Sequence, residues 1–138
     1  MNPPSLRLLV IEHQPGLRQL VRRWIEGLDS VICECVSASE ALQFGAELRP
    51  DWVVVDAQLK PVNGLAALGE LKARFANARF VLVSDFDDDD LRAAALRAGA
   101  CACLPKEELS ALRSLLLSHG GEPSGAVEIG RASCRERV

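Results

Sequence analysis

The sequence predicts one α/β domain, a doubly wound (βα)5 fold in which helices cover both faces of a parallel sheet. Short, nearly continuous apolar segments alternate five times with segments that carry apolar residues at helical spacing. Strands separated by helices in this way form parallel sheets with right-handed crossovers. A length of 138 residues is enough for one domain with a hydrophobic core, and 49% apolar with 25% charged residues is ordinary for a globular protein.

The charge balance and the apolar runs exclude several classes of function. The net charge of −3 provides no basic field of the kind that drives nucleic-acid binding, so we expect no direct binding of DNA or RNA. No apolar run approaches the about 20 residues that a membrane span needs, and residues 1–10 do not resemble a signal peptide. We therefore expect a cytoplasmic protein without a membrane partner.

The first strand, helix and second strand follow from three adjoining patterns. LRLLVI, residues 6–11, is almost continuously apolar, which is typical of a strand buried on both faces. Pro15 begins a helix with a regular apolar stripe, which ends near Gly27. VICECV, residues 31–36, alternates like a strand.

The middle of the chain repeats the pattern. Ser39 is a candidate N-cap for a second helix, which ends before Pro50. WVVV, residues 52–55, predicts the third strand, and leucines at helical spacing predict a third helix over residues 64–75.

The last two units complete the fold. FVLV, residues 80–83, predicts the fourth strand. An acidic run that starts at Asp87 is favourable at a helix N-terminus, and Gly99 marks the end of that fourth helix. CACL, residues 101–104, predicts a short fifth strand, and residues 109–117 predict the last helix.

Polar side chains follow four of the five predicted strands. In open parallel sheets the carboxyl ends of the strands share one edge, and ligands bind there. Carboxylates suit Mg²⁺, and a cation together with a lysine would offset the charge on phosphoryl oxygens. The sequence therefore predicts a site for a divalent cation and a phosphoryl group at this edge. Its candidate residues are Glu12, His13, Asp56, Ser84, Asp85 and Lys106.

Four segments resemble, in order and spacing, the receiver domain of two-component response regulators, over about residues 5–120. They are LLVIEHQPGLRQLV, PDWVVVDAQLKPVNG with its Asp eight residues before a Gly, VLVSD, and AGACACLPK. The resemblance implies a flavodoxin-like receiver fold with a five-stranded parallel sheet in the order 2-1-3-4-5. It also implies signal transduction through a phosphorelay.

The resemblance implies a role for each matching residue. Asp56 would accept a phosphoryl group from a sensor histidine kinase or a phosphotransfer protein. Ser84 would bond a phosphoryl oxygen, and Lys106 would pair with Asp56 or its phosphate. Mg²⁺ would be held by Glu12, Asp56 and the backbone carbonyl of Gln58. Such a phosphoprotein is not an enzyme, beyond self-phosphorylation and autodephosphorylation.

The resemblance also implies an output surface, formed by the fourth helix, the fifth strand and the fifth helix. Phosphorylation would bias an equilibrium between two conformations that this surface reports, with Ser84 and position 103 as the switch. Leu91, Arg92 and Arg97 are candidates for contact with a partner. The surface would serve an output domain or a second copy of the chain.

The metal position departs from the family pattern, because His13 replaces one carboxylate of the acidic pair. Neutral imidazole suits Mn²⁺ or Zn²⁺ better than Mg²⁺. Two interpretations remain open. Either His13 is a loop residue and Glu12 and Asp56 hold the metal, or Mg²⁺ binding is weakened or lost and Mn²⁺ is the alternative.

Three further positions depart from the pattern. Asp85 replaces a small residue beside the path of the phosphoryl donor, Cys103 replaces the aromatic switch residue, and Lys60 stands where a loop proline is common, with Pro61 one place late. These changes leave open a second hypothesis, a pseudo-receiver that acts as a protein-interaction module without phosphorylation. A hydrolase of similar topology is disfavoured, because there is no capping domain and no Ser-His-Asp set.

The five cysteines form no C-x-x-C pair and are expected to be small buried residues rather than a disulfide framework. In the strand order that the resemblance implies, Cys33 and Cys35 lie roughly 19 Å from Cys101 and Cys103, too far apart to share one zinc ion.

We expect a receiver domain over residues 5–119 and a linker over 120–127. Residues 128–138, which include Cys134, resemble the translated read-through of a sequencing adapter and are expected to be non-native.

Overall fold

The computed structural model describes residues 6–119 and 135–137, apart from the side chains of 44–46, 118–119 and 135–137. Its parallel strands are β1 (Leu6–Ile11), β2 (Ser30–Cys35), β3 (Trp52–Asp56), β4 (Arg79–Ser84) and β5 (Ala102–Pro105). Its helices are α1 (Pro15–Trp24), α2 (Ala38–Phe44), α3 (Gly64–Arg74), α4 (Asp89–Arg97) and α5 (Ala111–His119). The α/β class is confirmed.

The five parallel strands pair in the expected order, 2-1-3-4-5. The predicted five-stranded parallel sheet is confirmed, and residues Arg135–Arg137 add a sixth strand, β6, antiparallel to Ile32–Glu34 of β2. An edge strand such as β2 presents unpaired backbone N–H and C=O groups that can accept such a strand. The rest of the expected linker and tail, 120–134 and 138, lies outside the described residues.

The core consists of two apolar layers, one on each face of the sheet. Alternate residues of a strand point to opposite faces, so Val53 and Val55 pack in one layer while Val54 packs in the other. Helices α2, α3 and α4 cover the first layer, and α1 and α5 cover the second, where Leu112 is fully buried. This doubly wound packing fixes the carboxyl ends of the strands at one edge.

Several helix ends differ from prediction by a few residues. The N-cap of α2 is Ser37 rather than Ser39, since the Ser37 hydroxyl accepts from the Glu40 N–H at 3.1 Å and Glu40 in turn accepts from the Val36 N–H at 2.8 Å. After α2 the chain continues as a 3₁₀ turn, Gly45–Leu48. Helix α4 begins as expected in the acidic run, capped by the Asp88 side chain.

The cysteines had been expected to be small buried residues, and the structure departs from this expectation at Cys101. Cys101 is exposed and has a free thiol, whereas Cys103 is buried with a free thiol. Cys33 is buried and disulfide-bonded. Among the helices that the structure describes, none is long and apolar enough to cross a bilayer.

Candidate functional site

The predicted site residues meet at the carboxyl edge of the sheet. Glu12 directly follows β1, Asp56 and Ser84 are the last residues of β3 and β4, and Lys106 directly follows β5. Glu12, Asp56 and Ser84 are each at least 98% buried, although each is polar. Burying a carboxylate is costly unless it is paired or bound to a metal, so this edge requires an electrostatic explanation.

Asp56 is held mainly through one of its two carboxylate oxygens. Its Oδ1 accepts from the backbone N–H of Gln58 at 3.0 Å and lies 3.3 Å from Nζ of Lys106. Its Oδ2 is buried without a hydrogen-bond partner among the described residues and lies 3.7 Å from Nδ1 of His13. One oxygen is therefore fixed, and the other is available for a further ligand.

Gly64 packs closely against the backbone of Asp56 and Ala57. A Cβ at this position would collide with the backbone carbonyl of Asp56, and it would lie 3.0 Å from Cα of Ala57. The Gly64 N–H also donates to the Ala57 carbonyl at 3.0 Å, which closes the loop tightly over the end of β3. The spacing from Asp to Gly was a family signal in the sequence, and this close approach is its physical reason.

Glu12 lies beside Asp56, and within the described residues it forms no ion pair with a lysine or an arginine. Its Oε2 accepts from the Gln14 N–H at 3.1 Å, while its Oε1 is buried with no hydrogen-bond partner within the described part of the chain. Burial, with the neighbouring Asp56 charge, raises the pKa of Glu12 from 4.5 to about 8. A divalent cation between these carboxylates would relieve that cost.

Glu12, His13 and Asp56 form a cluster with metal-ligating capacity. One ligand atom from each lies within 4.8 Å of the others, and the imidazole Nδ1 lies 3.8 Å from Oε2 of Glu12. The two buried carboxylate oxygens that have no hydrogen-bond partner among the described residues fit a divalent cation. Gln58, whose carbonyl the family resemblance adds to the ligands, contributes its backbone N–H to Asp56 and its side-chain oxygen to the Asp85 N–H at 3.2 Å.

Lys106 is shared between two carboxylates. Its Nζ lies 2.8 Å from Oδ1 of Asp85 and 3.3 Å from Oδ1 of Asp56. Burial lowers the pKa of Lys106, but the hydrogen bond to Asp85 and the charges of Asp56 and Glu12 outweigh it, so the net pKa is raised. The raised pKa keeps Lys106 positively charged. Its closer partner is Asp85, a contact that the sequence did not predict.

The two switch candidates are both buried. The Ser84 hydroxyl donates to the backbone carbonyl of Phe86 at 2.6 Å, so in this conformation it is engaged away from Asp56. Cys103 is 8% exposed, and burial raises the pKa of its thiol. Phe86, by contrast, is 71% exposed in the loop after β4, a feature that the sequence analysis did not single out.

The three candidates for partner contact on α4 differ in availability. Arg92 forms ion pairs with Asp87 and Asp89, so its guanidinium is already occupied. Arg97 is exposed, and Leu91 is half-buried against the core. The neighbouring Leu96 is 47% exposed and adds apolar surface.

Comparison with known proteins gives consistent matches. Residues 8–116 match the family model of the response regulator receiver domain. The chain is 33% identical over 104 residues to the "Protein-glutamate methylesterase/protein-glutamine glutaminase 3" of Anaeromyxobacter dehalogenans, which covers 73% of this chain and 30% of the relative. It is 31% identical over 119 residues to the "Transcriptional activator protein ExaE" of Pseudomonas putida, which covers 81% of this chain and 56% of the relative.

The fold also matches solved structures. The signal receiver domain of the response regulator NarL from Mycobacterium tuberculosis superimposes with a TM-score of 0.75 at 21% identity, over 88% of this chain and all of that one. At this identity the match concerns the fold alone. The two sequence relatives are longer than this chain, which spans 30% and 56% of their lengths.

Proposed function

The chain belongs to the response regulator receiver domain family of two-component signalling, and from that premise we propose that Asp56 accepts a phosphoryl group. The donor is a sensor histidine kinase or a phosphotransfer protein. One observation supports this most strongly: Asp56 is buried at the end of β3 with one oxygen next to Lys106 and the other without a hydrogen-bond partner in the described chain.

The transfer is a simple displacement at phosphorus. A carboxylate oxygen of Asp56 attacks the phosphorus of a phosphohistidine, the P–N bond breaks, and the imidazole nitrogen keeps the electron pair and takes up a proton. Lys106, whose Nζ lies 3.3 Å from Oδ1 of Asp56, would stabilise the charge on the phosphoryl oxygens.

Glu12, Asp56 and the Gln58 carbonyl would hold a divalent cation, Mg²⁺ in the family, with His13 beside it. When bound, the cation offsets phosphoryl charge as a Lewis acid. The proposal is supported by the buried oxygens Oε1 of Glu12 and Oδ2 of Asp56, which have no hydrogen-bond partner in the part of the chain that the structure describes.

The signal is proposed to leave through α4, β5 and α5. To bond a phosphoryl oxygen, the Ser84 hydroxyl has to release the Phe86 carbonyl, which moves the loop that leads into α4. Exposed Arg97 and Leu96 would then contact an output domain or a second copy of the chain. Cys103, a small side chain at the switch position, transmits less of this change than an aromatic ring would.

We place the domain at residues 5–119, with 120–127 as a linker, and propose a cytoplasmic phosphoprotein whose own catalysis is limited to self-phosphorylation and autodephosphorylation. Relatives named for a methylesterase and a transcriptional activator support a longer protein with an output domain. Residues 128–138 stay outside the proposed domain.

The test is incubation with acetyl phosphate, in Mg²⁺ and separately in Mn²⁺, followed by intact mass measurement. We expect a gain of one phosphoryl group that is absent in Asp56→Asn. If the mass does not change with either ion, the phosphoacceptor function is refuted, and the pseudo-receiver becomes the better explanation.

A further inference from the structure

We propose that His13 is a direct metal ligand and that it changes the cation preference of this site. With an imidazole and two carboxylates, the cluster of Glu12, His13 and Asp56 would favour a nitrogen-accepting ion such as Zn²⁺ or Mn²⁺ over Mg²⁺. This inference rests on the proposed function for its location, but its test measures metal binding and is independent of phosphorylation.

The first support is the position of the imidazole. Nδ1 of His13 lies 3.8 Å from Oε2 of Glu12 and 3.7 Å from Oδ2 of Asp56. These separations are too long for hydrogen bonds, so the imidazole is near both carboxylates without being bound to either. Ligand atoms at about 2.1 Å from one tetrahedral zinc lie about 3.4 Å apart, so a small inward movement would let all three contact one ion.

The second support is the state of the two carboxylates. Oε1 of Glu12 and Oδ2 of Asp56 are buried and have no hydrogen-bond partner among the described residues. Oδ2 of Asp56 is the same atom that faces the imidazole. A divalent cation bound between the two carboxylates would satisfy both oxygens at once.

The third support is the chemistry of the ligand set. Mg²⁺ prefers oxygen ligands, whereas imidazole suits Zn²⁺. The His13 side chain is 41% exposed, so its face of the site is open to solvent. Water or a phosphoryl oxygen can therefore complete the coordination that the three side chains leave unfilled.

The test is calorimetric titration of chelator-treated protein with ZnCl₂, MnCl₂ and MgCl₂, each metal alone. We expect His13→Asn to weaken Zn²⁺ binding at least about tenfold, because even changes behind the ligands cost 10- to 100-fold. We expect His13→Asp to raise Mg²⁺ affinity and to lower the preference for Zn²⁺. The control is His119→Asn, which removes the other histidine of the chain and should leave all three affinities unchanged.

A second measurement identifies the ligand directly. X-ray absorption of the zinc-loaded protein should show outer-shell scattering from one imidazole, and His13→Asn should lose it. Unchanged Zn²⁺ and Mn²⁺ affinity in His13→Asn, or retained imidazole scattering, would overturn the proposal. Thermal unfolding in chelator would show that each variant is folded before its metal affinity is compared.

The outcomes also separate this inference from the proposed function. If metal preference follows His13 but Asp56 gains no phosphate with either Mg²⁺ or Mn²⁺, only the phosphoacceptor function fails. If Asp56 is phosphorylated and His13→Asn binds every ion as the unmodified protein does, only the role of His13 fails.

Discussion

Replacing Asp85 with Asn should accelerate phosphorylation of Asp56. Asp85 holds Lys106 at 2.8 Å, closer than the 3.3 Å between Lys106 and Asp56. The substitution keeps the size of the side chain and removes its charge. Lys106 is then released toward Asp56, and an anionic donor meets one carboxylate fewer at the edge of the sheet.

The size of the effect follows from the exposure of the pair. The side chain of Asp85 is 46% exposed and that of Lys106 is 17% exposed, so solvent screens much of their attraction. Such partly exposed ion pairs contribute about 0.2–1 kcal/mol. If that free energy is regained in the transition state, the rate rises by a factor of about 1.4 to 5.

The assay is the initial rate of mass gain with acetyl phosphate at fixed ionic strength. The matched control is Asp87→Asn, which changes the net charge by the same amount. It is a suitable control because Asp87 pairs with Arg92 rather than with Lys106. We expect the control to retain the rate of the unmodified protein. A rate for Asp85→Asn that equals or falls below the control would refute the role assigned to the Asp85–Lys106 pair.

Two further predictions concern the loop at Asp56 and the cysteines. Gly64→Ala should destabilise the protein by about 1–3 kcal/mol in urea unfolding, because the new Cβ collides with the Asp56 carbonyl. Gly69→Ala in the same helix, with nothing within 4 Å, should instead stabilise it by about 0.5–1 kcal/mol, and equal effects would contradict the packing at Gly64. In the folded protein at pH 8, iodoacetamide should label exposed Cys101 well before Cys103, whose pKa is raised by burial, as measured by peptide mass mapping. Equal labelling rates would show that Cys103 is more accessible than its 8% exposure indicates.

Much of the fold was predictable because strands buried on both faces leave a clear mark in the sequence. Each predicted strand lies within one or two residues of its observed position, and β1 matches at both ends. The strand order was available only from the family resemblance, since the apolar runs themselves do not say which strands are neighbours. Strand β6 could not be predicted, because residues Arg135–Arg137 carry no apolar alternation of the kind that marks a strand.

Local errors have equally physical reasons. Ser37 and Ser39 are both good N-caps, and the Glu three residues after Ser37 was the signal that distinguishes them, as in a capping box. The expectation that the cysteines are buried failed at Cys101, which lies before the start of β5 in the structure.

The candidate site was predictable in its residues but not in its contacts. Parallel strands bring their carboxyl ends to one edge, so the meeting of Glu12, Asp56, Ser84 and Lys106 follows from topology. That Lys106 is closer to Asp85 than to Asp56 depends on side-chain rotamers, which no sequence pattern encodes.

The most direct test of the phosphoacceptor function is chemical identification of the phosphorylated residue. Borohydride reduces an acyl phosphate to an alcohol, so a phosphorylated aspartate is converted to homoserine, which peptide mass spectrometry can locate. After treatment with acetyl phosphate and a divalent cation, we predict homoserine at position 56 and at no other carboxylate. A reduction product at Glu12 or Asp85, or a phosphoryl mass gain without homoserine at position 56, would contradict the assignment of Asp56.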